Sequence, residues 1–403
     1  MTSQLFLFNQ RGVVVASDTL ATRKNSHGGW SGLPDNSKIF ALGEQHRVVV
    51  ASSDCTQISK VHVELLVHEW SASLTEPVAT LEDYVESFVS WTNSTLKTMV
   101  WNNKSGALEV VRHELHDLIG ITEIRRLASA HSRGEVDDAT SEIQMIEDLK
   151  VYASQNFLSA EYDDLPLAKA KHLVQKLKKK VVKLFAEATG EPDRKYSSEF
   201  KDELMNFFSQ LLCRFVPATE GIATLNFIGY GTEVLFPGRI QMDIRGFYAG
   251  RLRYRVRHFR NGASDRDPAF QPHAQSSAID GFINGIGDDF RRALPSAADD
   301  LMSRMTSISD DERKKFCQDL NVAVNEIVRH HFANPFLAAL GGMSMTQMVQ
   351  LADQLIQLQC LRSQLSDCDV TVGGPVEVVS VDRNQGVVWH RSIPAAALTQ
   401  ASS

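Results

Sequence analysis

No two of the chain's cysteines stand close enough to make a CxxC pair. Cys55, Cys213, Cys317, Cys360 and Cys368 are scattered and odd in number. That usage excludes a disulfide framework and a cysteine-built zinc site. It fits a reducing compartment, so a cytoplasmic location is the expectation. No apolar run reaches the length of a membrane span, and neither a membrane partner nor a signal peptide is expected. Charge is in small excess: the formal net value is −7 over 403 residues, without the basic surplus that binding to nucleic acid draws on. Metal-ligand patterns are equally thin. His113-Glu114-Leu115-His116 is one residue short of His-Glu-x-x-His and has no evident third ligand, and His62 and His68 lie six apart, off one helical face. No metal and no other cofactor is expected. What remains is a chain 43% hydrophobic, long enough for one large domain or two ordinary ones.

The stretch that organises the rest is the beginning, Met1-Thr2-Ser3-Gln4-Leu5-Phe6-Leu7-Phe8. A small second residue generally permits removal of the initiator Met, so the mature chain is expected to start at Thr2. An N-terminal threonine carries nucleophile and base on one residue, because its own amine can take the proton from its Oγ. That amine has an ordinary pKa of about 7.7–8.0, near working pH. Leu5 to Phe8 is apolar on both alternation faces, as in a strand buried on both sides. Asn9-Gln10-Arg11-Gly12 is turn material, and Val13-Val14-Val15-Ala16-Ser17-Asp18 is a second strand. Pairing Phe8 with Val13 sets Thr2 opposite Thr19 and brings Asp18 close. After a glycine-rich loop at 27–32, Ser37-Lys38-Ile39-Phe40-Ala41-Leu42 and Arg47-Val48-Val49-Val50-Ala51-Ser52 form a second hairpin with Lys38 roughly opposite Ala51. An amphipathic helix is expected from near Asp54 to about Trp70 or Leu74, with Ile58, Val61, Leu65 and Leu66 on one face.

At these residues the chain resembles the proteasome β-subunit family and its bacterial peptidase relatives, which are N-terminal nucleophile hydrolases. The resemblance rests on Thr2, on Asp18 in GVVVASDTLAT and on Lys38 in NSKIFAL. It implies Thr2 as nucleophile, Lys38 favouring the alkoxide, and Asp18 orienting both. It also implies a backbone amide of the segment Val50-Ala51-Ser52-Ser53-Asp54, at Ser53 or Asp54, as oxyanion donor. The family's usual glycine there is missing.

Thr80-Leu81-Glu82-Asp83 reads as the start of a second helix carrying Tyr84, Phe88, Trp91 and Leu96, and the pattern breaks at 102–106. From 107 to 217 strand signals vanish and helical patterns follow one another at 108–130, 138–157, 167–188 and 198–215, an expected helical insertion. Its lysine-rich run at 169–183, with Leu173, Leu177, Val181 and Leu184 as an apolar stripe, reads as a solvated helix face, with docking of an acidic partner, a nucleic acid or a membrane as the rival reading. Strands return at 221–231, 239–244 and 251–258. The family's serine near the threonine has Ser276 or Ser277 as its nearest counterpart. Residues 280–336 are helical, partly a second insertion, with a capping box at Ser309-Asp310-Asp311-Glu312; Ser344 caps another helix with Met348, Ala352, Leu355 and Ile356 inward. In Asp369-Val370-Thr371-Val372-Gly373-Gly374 the two glycines and Asp369 match the family's Asp-x-x-Ser-Gly-Gly element, while its serine position is Val372. Asn384-Gln385-Gly386 turns the chain into a last strand, and 395–403 is a loose tail.

The expected fold is α+β, a four-layer αββα sandwich of two antiparallel sheets with helical insertions. Residues 2–102, 221–279 and 337–394 form its discontinuous core, 107–217 the insertion, and 280–336 a further helical segment. The resemblance implies a threonine-type endopeptidase acting on peptide or unfolded protein through an acyl-enzyme, and a homo-oligomer, possibly a ring. Hydrolysis of a small amide, or an inactive β-type subunit serving assembly, are the alternatives.

Overall fold

Segments apolar at every position need cover on both faces, and the first two strands receive it. The computed structural model describes residues 2–24, 30–33, 36–98, 103–216, 222–304, 309–365 and 371–392. β1 (Ser3–Asn9) and β2 (Gly12–Asp18) are buried end to end. They pair antiparallel with Phe8 opposite Val13 and Gln4 opposite Ser17, the register set by the Asn9 to Gly12 turn. β3 (Ala21–Lys24) and β4 (Trp30–Leu33) form a short ribbon, followed by β5 (Ile39–Ala41) and β6 (Val48–Asp54). A small hairpin, β7 (Gln57–Ile58) and β8 (Val61–His62), leads into α1 (Val63–Ser73) and α2 (Leu81–Thr98). Six helices come next: α3 (Asn103–Ile121), α4 (Ile124–Ser132), α5 (Asp138–Asn156), α6 (Leu167–Gln175), α7 (Lys178–Thr189) and α8 (Ser198–Leu212). The chain returns to strands in β9 (Ala223–Gly229), β10 (Gly238–Tyr248), β11 (Arg251–Arg260) and β12 (Ala269–Ala274). It closes with α9 (Ser277–Asn284), α10 (Asp288–Ser303), α11 (Asp310–Val328), a π-helical turn over Arg329–Ala333, α12 (Asn334–Gly342), α13 (Met345–Gln364), β13 (Val376–Asp382) and β14 (Gly386–Arg391).

Two five-stranded antiparallel sheets result, ordered β12-β1-β2-β13-β14 and β11-β10-β9-β6-β5. Their inner faces meet through Phe6, Phe8, Val13 and Val15 against Val49, Ala51 and Ile228. The alternate residues Leu5, Leu7, Val14 and Ala16 pack under Met348, Ala352, Leu355 and Ile356 of α13. On the far side, Val48, Val50, Leu225 and Phe227 lie under Trp70, Tyr84 and Phe88 of α1 and α2. This is the αββα sandwich of two antiparallel sheets that the sequence led us to expect. No helix among the described residues is long and apolar enough to cross a membrane.

Helices α3 to α8 share an apolar cluster of their own, which includes Leu115, Leu149, Val181, Phe185, Phe200 and Phe208. The lysine-rich run is not one helix, because it breaks at Lys176 and Leu177 between α6 and α7. Leu177 and Val181 face inward, and Lys178 and Lys183 pair with Asp202 and Glu187. The pattern expected over 108–130 is likewise two helices, α3 and α4. Glu114, part of the near-metal motif, is engaged by the Arg245 guanidinium at 2.5 Å and the Tyr152 hydroxyl at 2.6 Å, an ion pair that ties α3 and α5 to β10.

Three further local expectations need correction. Lys38 lies opposite Ser52, whose N–H bonds the Lys38 carbonyl at 2.8 Å, while Ile39 faces Ala51. β12 was not foreseen; its Pro272 is tolerated because β12 is an edge strand. The first helix starts at Val63 and not near Asp54, and Leu65 is exposed. Ile58 and Val61 have helical spacing, but between them Ser59 and Lys60 hold φ of 49° and 68°, the geometry of a tight hairpin turn. The Ser59 hydroxyl accepts the Phe247 N–H at 2.9 Å, which fixes that turn against β10.

α3 approaches the same strand closely enough that a Cβ on Gly106 would lie 2.0 Å from the Phe247 carbonyl oxygen. Gly106→Ala is therefore expected to destabilise the protein by about 1–3 kcal/mol, read as a lower urea midpoint with an unchanged m-value.

Candidate active site

The β1–β2 register brings the start of β1 to the end of β2, and there the chain buries a charge. Asp18 is fully buried. Its Oδ1 accepts the Ser3 N–H at 2.8 Å and the Lys38 ammonium at 2.8 Å, and its Oδ2 accepts the Gly373 N–H at 3.1 Å. Lys38 also donates to the Leu20 carbonyl at 2.9 Å. Burial holds the Lys38 ammonium below the usual lysine range, and the Asp18 carboxylate acts against that shift. Thr2, Lys38, Ser52, Asp54, Cys55 and Glu64 line one cavity of about 590 Å³, open to solvent on one side. The sequence-selected residues thus lie together: Thr2 and Lys38 line one cavity, and Asp18 behind it holds the Lys38 ammonium and the Ser3 N–H next to Thr2.

Gly373 and Gly374 make the turn that reaches Asp18. Thr19 and Leu20 both donate to the Gly373 carbonyl, at 3.2 and 3.0 Å. Gly374 has φ +76°, and a Cβ there would sit 2.7 Å from the Thr19 hydroxyl, so only glycine fits.

The oxyanion candidates are less simply placed. Ser53 and Asp54 end β6 and do not open a helix, so the helix start expected there is absent. Asp54 holds φ +66°, a conformation that favours glycine. The Ser53 hydroxyl turns away to the His273 Nε2 at 2.8 Å. Burial, with the Arg239 guanidinium beside it, holds that imidazole down at about 4, so His273 is neutral at working pH. Along the cavity wall the Ser52, Cys55 and Val63 amides are already donated, to the Lys38, Ile222 and Thr56 carbonyls at 2.8, 3.0 and 2.9 Å.

Ser276 and Ser277 do not touch Thr2 by any hydrogen bond found among the described residues. Ser276 stands at the N-cap position of α9 without capping it, its hydroxyl donating instead to the Asp280 carboxylate at 2.6 Å, and Ser277 is the first residue of that helix. The neighbour that does reach Thr2 is Gln275, whose N–H bonds the Thr2 carbonyl at 2.9 Å. Its side-chain oxygen accepts the Thr371 hydroxyl at 2.9 Å. Val372 is buried in the apolar cluster beneath α13. Asp369 lies outside the described residues. The sequence also gave no sign of Glu377, a buried carboxylate on β13 that accepts the Lys38 backbone N–H at 3.1 Å.

Removing the carboxylate of Asp18 strands an ammonium and two backbone donors in the interior. Asp18→Ala is expected to lower stability by about 3–5 kcal/mol in urea unfolding at pH 7, and Asp18→Asn by less, since the amide oxygen still accepts.

No protein-family model and no curated protein matches the chain. Among solved structures, one of an Anbu mutant from Hyphomicrobium sp. strain MC1 is similar to it over 100% of this chain and 96% of that one, at 12% sequence identity and a TM-score of 0.28. At that score the likeness carries nothing about the chemistry of the site.

Proposed function

We propose that this chain is a threonine-type peptide hydrolase of the N-terminal nucleophile class, working through Thr2 after removal of Met1. The observation that carries the reading is the convergence of the Ser3 N–H and the Lys38 ammonium on one buried Asp18 oxygen, beside the cavity that Thr2 and Lys38 share. The freed Thr2 amine takes the proton from its own Oγ, and Oγ attacks the substrate carbonyl. The Lys38 charge favours the alkoxide, and a backbone amide at the β6 end holds the oxyanion. The amine then passes the proton to the leaving nitrogen as the C–N bond breaks, leaving an ester on Thr2. Water, deprotonated by the same amine, attacks the ester and releases the acid with Thr2 restored. The class of hydrolase follows from the resemblance to proteasome β subunits and is supported by the Asp18 cluster. A peptide substrate is the finer part of the proposal.

A β-lactone probe is expected to add its acyl mass to Thr2, and intact mass spectrometry of active protein is expected to show no Met1. Full activity with Met1 retained would overturn the mechanism. Turnover of fluorogenic peptides over small acyl amides supports the peptide reading, the reverse supports a small-amide hydrolase, and no adduct at all points to an inactive subunit used in assembly. Lys38→Ala is expected to lower kcat by about 10²–10³-fold, the scale for losing one electrostatic stabiliser, with circular dichroism unchanged. We also propose that the protein forms a homo-oligomer. Light scattering that finds a monomer with full activity at high concentration would refute this.

A further inference from the structure

The alternation of β13 places a charge where the sandwich calls for a hydrocarbon. Val379 and Val381 point between the sheets with Val13 and Val15 of β2. Glu377 has the same parity and is paired with Ser17, in register with Val379 opposite Val15 and Val381 opposite Val13. It is nearly inaccessible to solvent. Taking a carboxylate out of water costs several kcal/mol even after relaxation, and a valine would avoid that. This carboxylate accepts the backbone N–H of Lys38 at 3.1 Å, 339 residues away in the chain, with the Ser37 side chain and the Ile39 N–H also bonded to it.

We infer that Glu377 is a positioning residue of the Thr2 site: from β13 its carboxylate clamps the Lys38 main chain and adds a second negative charge near the Lys38 ammonium. The inference rests on the proposed role of Thr2 and Lys38. The groups around Lys38 divide by element. Asp18 on β2 binds the ammonium from one side of the first sheet, Glu377 on β13 holds the backbone from the other, and the Cys360 thiol on α13 stands nearby. Burial pushes that thiol up to about 12, so it is uncharged at working pH. Burial also raises Glu377 above the usual carboxylate range, with Lys38 and Ser37 pulling it back. Asp18 and Glu377 are the two carboxylates whose charges act against the desolvation of the Lys38 ammonium.

The sign of the stability effect follows. A carboxyl whose folded pKa is raised binds its proton more tightly in the native state. Its contribution to stability is then lost as pH rises from its ordinary value, near 4.5, through the raised one. An ionised Glu377 is a net liability above that window, and Glu377→Gln removes the liability while keeping an oxygen for the Lys38 N–H.

The test compares wild type, Glu377→Gln and Glu377→Val as full-length protein, by thermal unfolding at pH 8 and by the pH profile of peptide turnover. For Glu377→Gln the expected result is a melting temperature equal to or above wild type. Turnover should show a basic limb moved down by about half a pH unit or more, and kcat should fall while KM holds. The limb moves down because losing a nearby anion lets Lys38 deprotonate sooner. A Glu377→Gln protein with wild-type kcat and an unmoved limb would overturn the inference. So would a lowered melting temperature with an unmoved limb, which marks a purely structural clamp. Glu377→Val, which loses the acceptor as well, is expected to lose more kcat than Glu377→Gln; equal kcat in the two would remove the clamp. Labelling of Thr2 by a β-lactone in wild type separates this from the parent reading: absent labelling sinks both, whereas normal labelling with an insensitive Glu377→Gln sinks only the role of Glu377.

Discussion

The Thr2 end of the molecule depends on one buried carboxylate. Asp18 joins three parts of the fold through two oxygens: the first residue of β1, the lysine that precedes β5, and the glycine turn before β13. Each bond to a charged group is worth about 1.5–3 kcal/mol, and desolvating the carboxylate and the ammonium costs several kcal/mol apiece. Those magnitudes nearly cancel. The cluster therefore adds little to stability, and its effect is geometric: it fixes where β1 begins relative to Lys38.

Apolar layers supply the free energy that lets such a cluster persist. Three of them, two outside and one inside, hold the sheets to each other and to α1, α2 and α13. The helices α3 to α8 add a fourth apolar cluster that meets the sandwich along β10, where Gly106 lets α3 come close and Arg245 crosses to Glu114. The polar site sits at the rim of the inner layer, where strand ends leave backbone groups to be satisfied by Asp18 and Glu377.

Much of this was legible because it is local. The apolar runs either side of the Asn9 to Gly12 turn fixed the first hairpin, and with it the approach of Asp18 to the start of β1. The helices that begin at Thr80, Ser309 and Ser344 carry their capping partners three residues on, and all three bonds form. The β7–β8 hairpin was not legible: Ser59 and Lys60 adopt positive φ without a glycine to announce it, and tertiary contact with Phe247 decides the turn. Gln275 and Glu377, and the bond from Gly373 to Asp18, escaped for a different reason. Each reaches the site across a strand register or turn set by packing hundreds of residues away, and no spacing in the sequence encodes such a partner. Just past β12, the hydrogen bond to Thr2 belongs to Gln275, the neighbour of Ser276.

The distance along the chain between Asp18 and its partner Gly373 has a consequence for synthesis. Strand pairings of such separation form late, because the loop entropy of joining them must be overcome before their contacts count. Residues emerge from the ribosome in order, so β1 and β2 exist long before β13 can dock beside β2. Until it does, Asp18 lacks one donor and Lys38 lacks its backbone clamp. The site at β1 is thus completed only once β13 is in place, and a chain truncated before β13 holds its threonine in an unassembled setting.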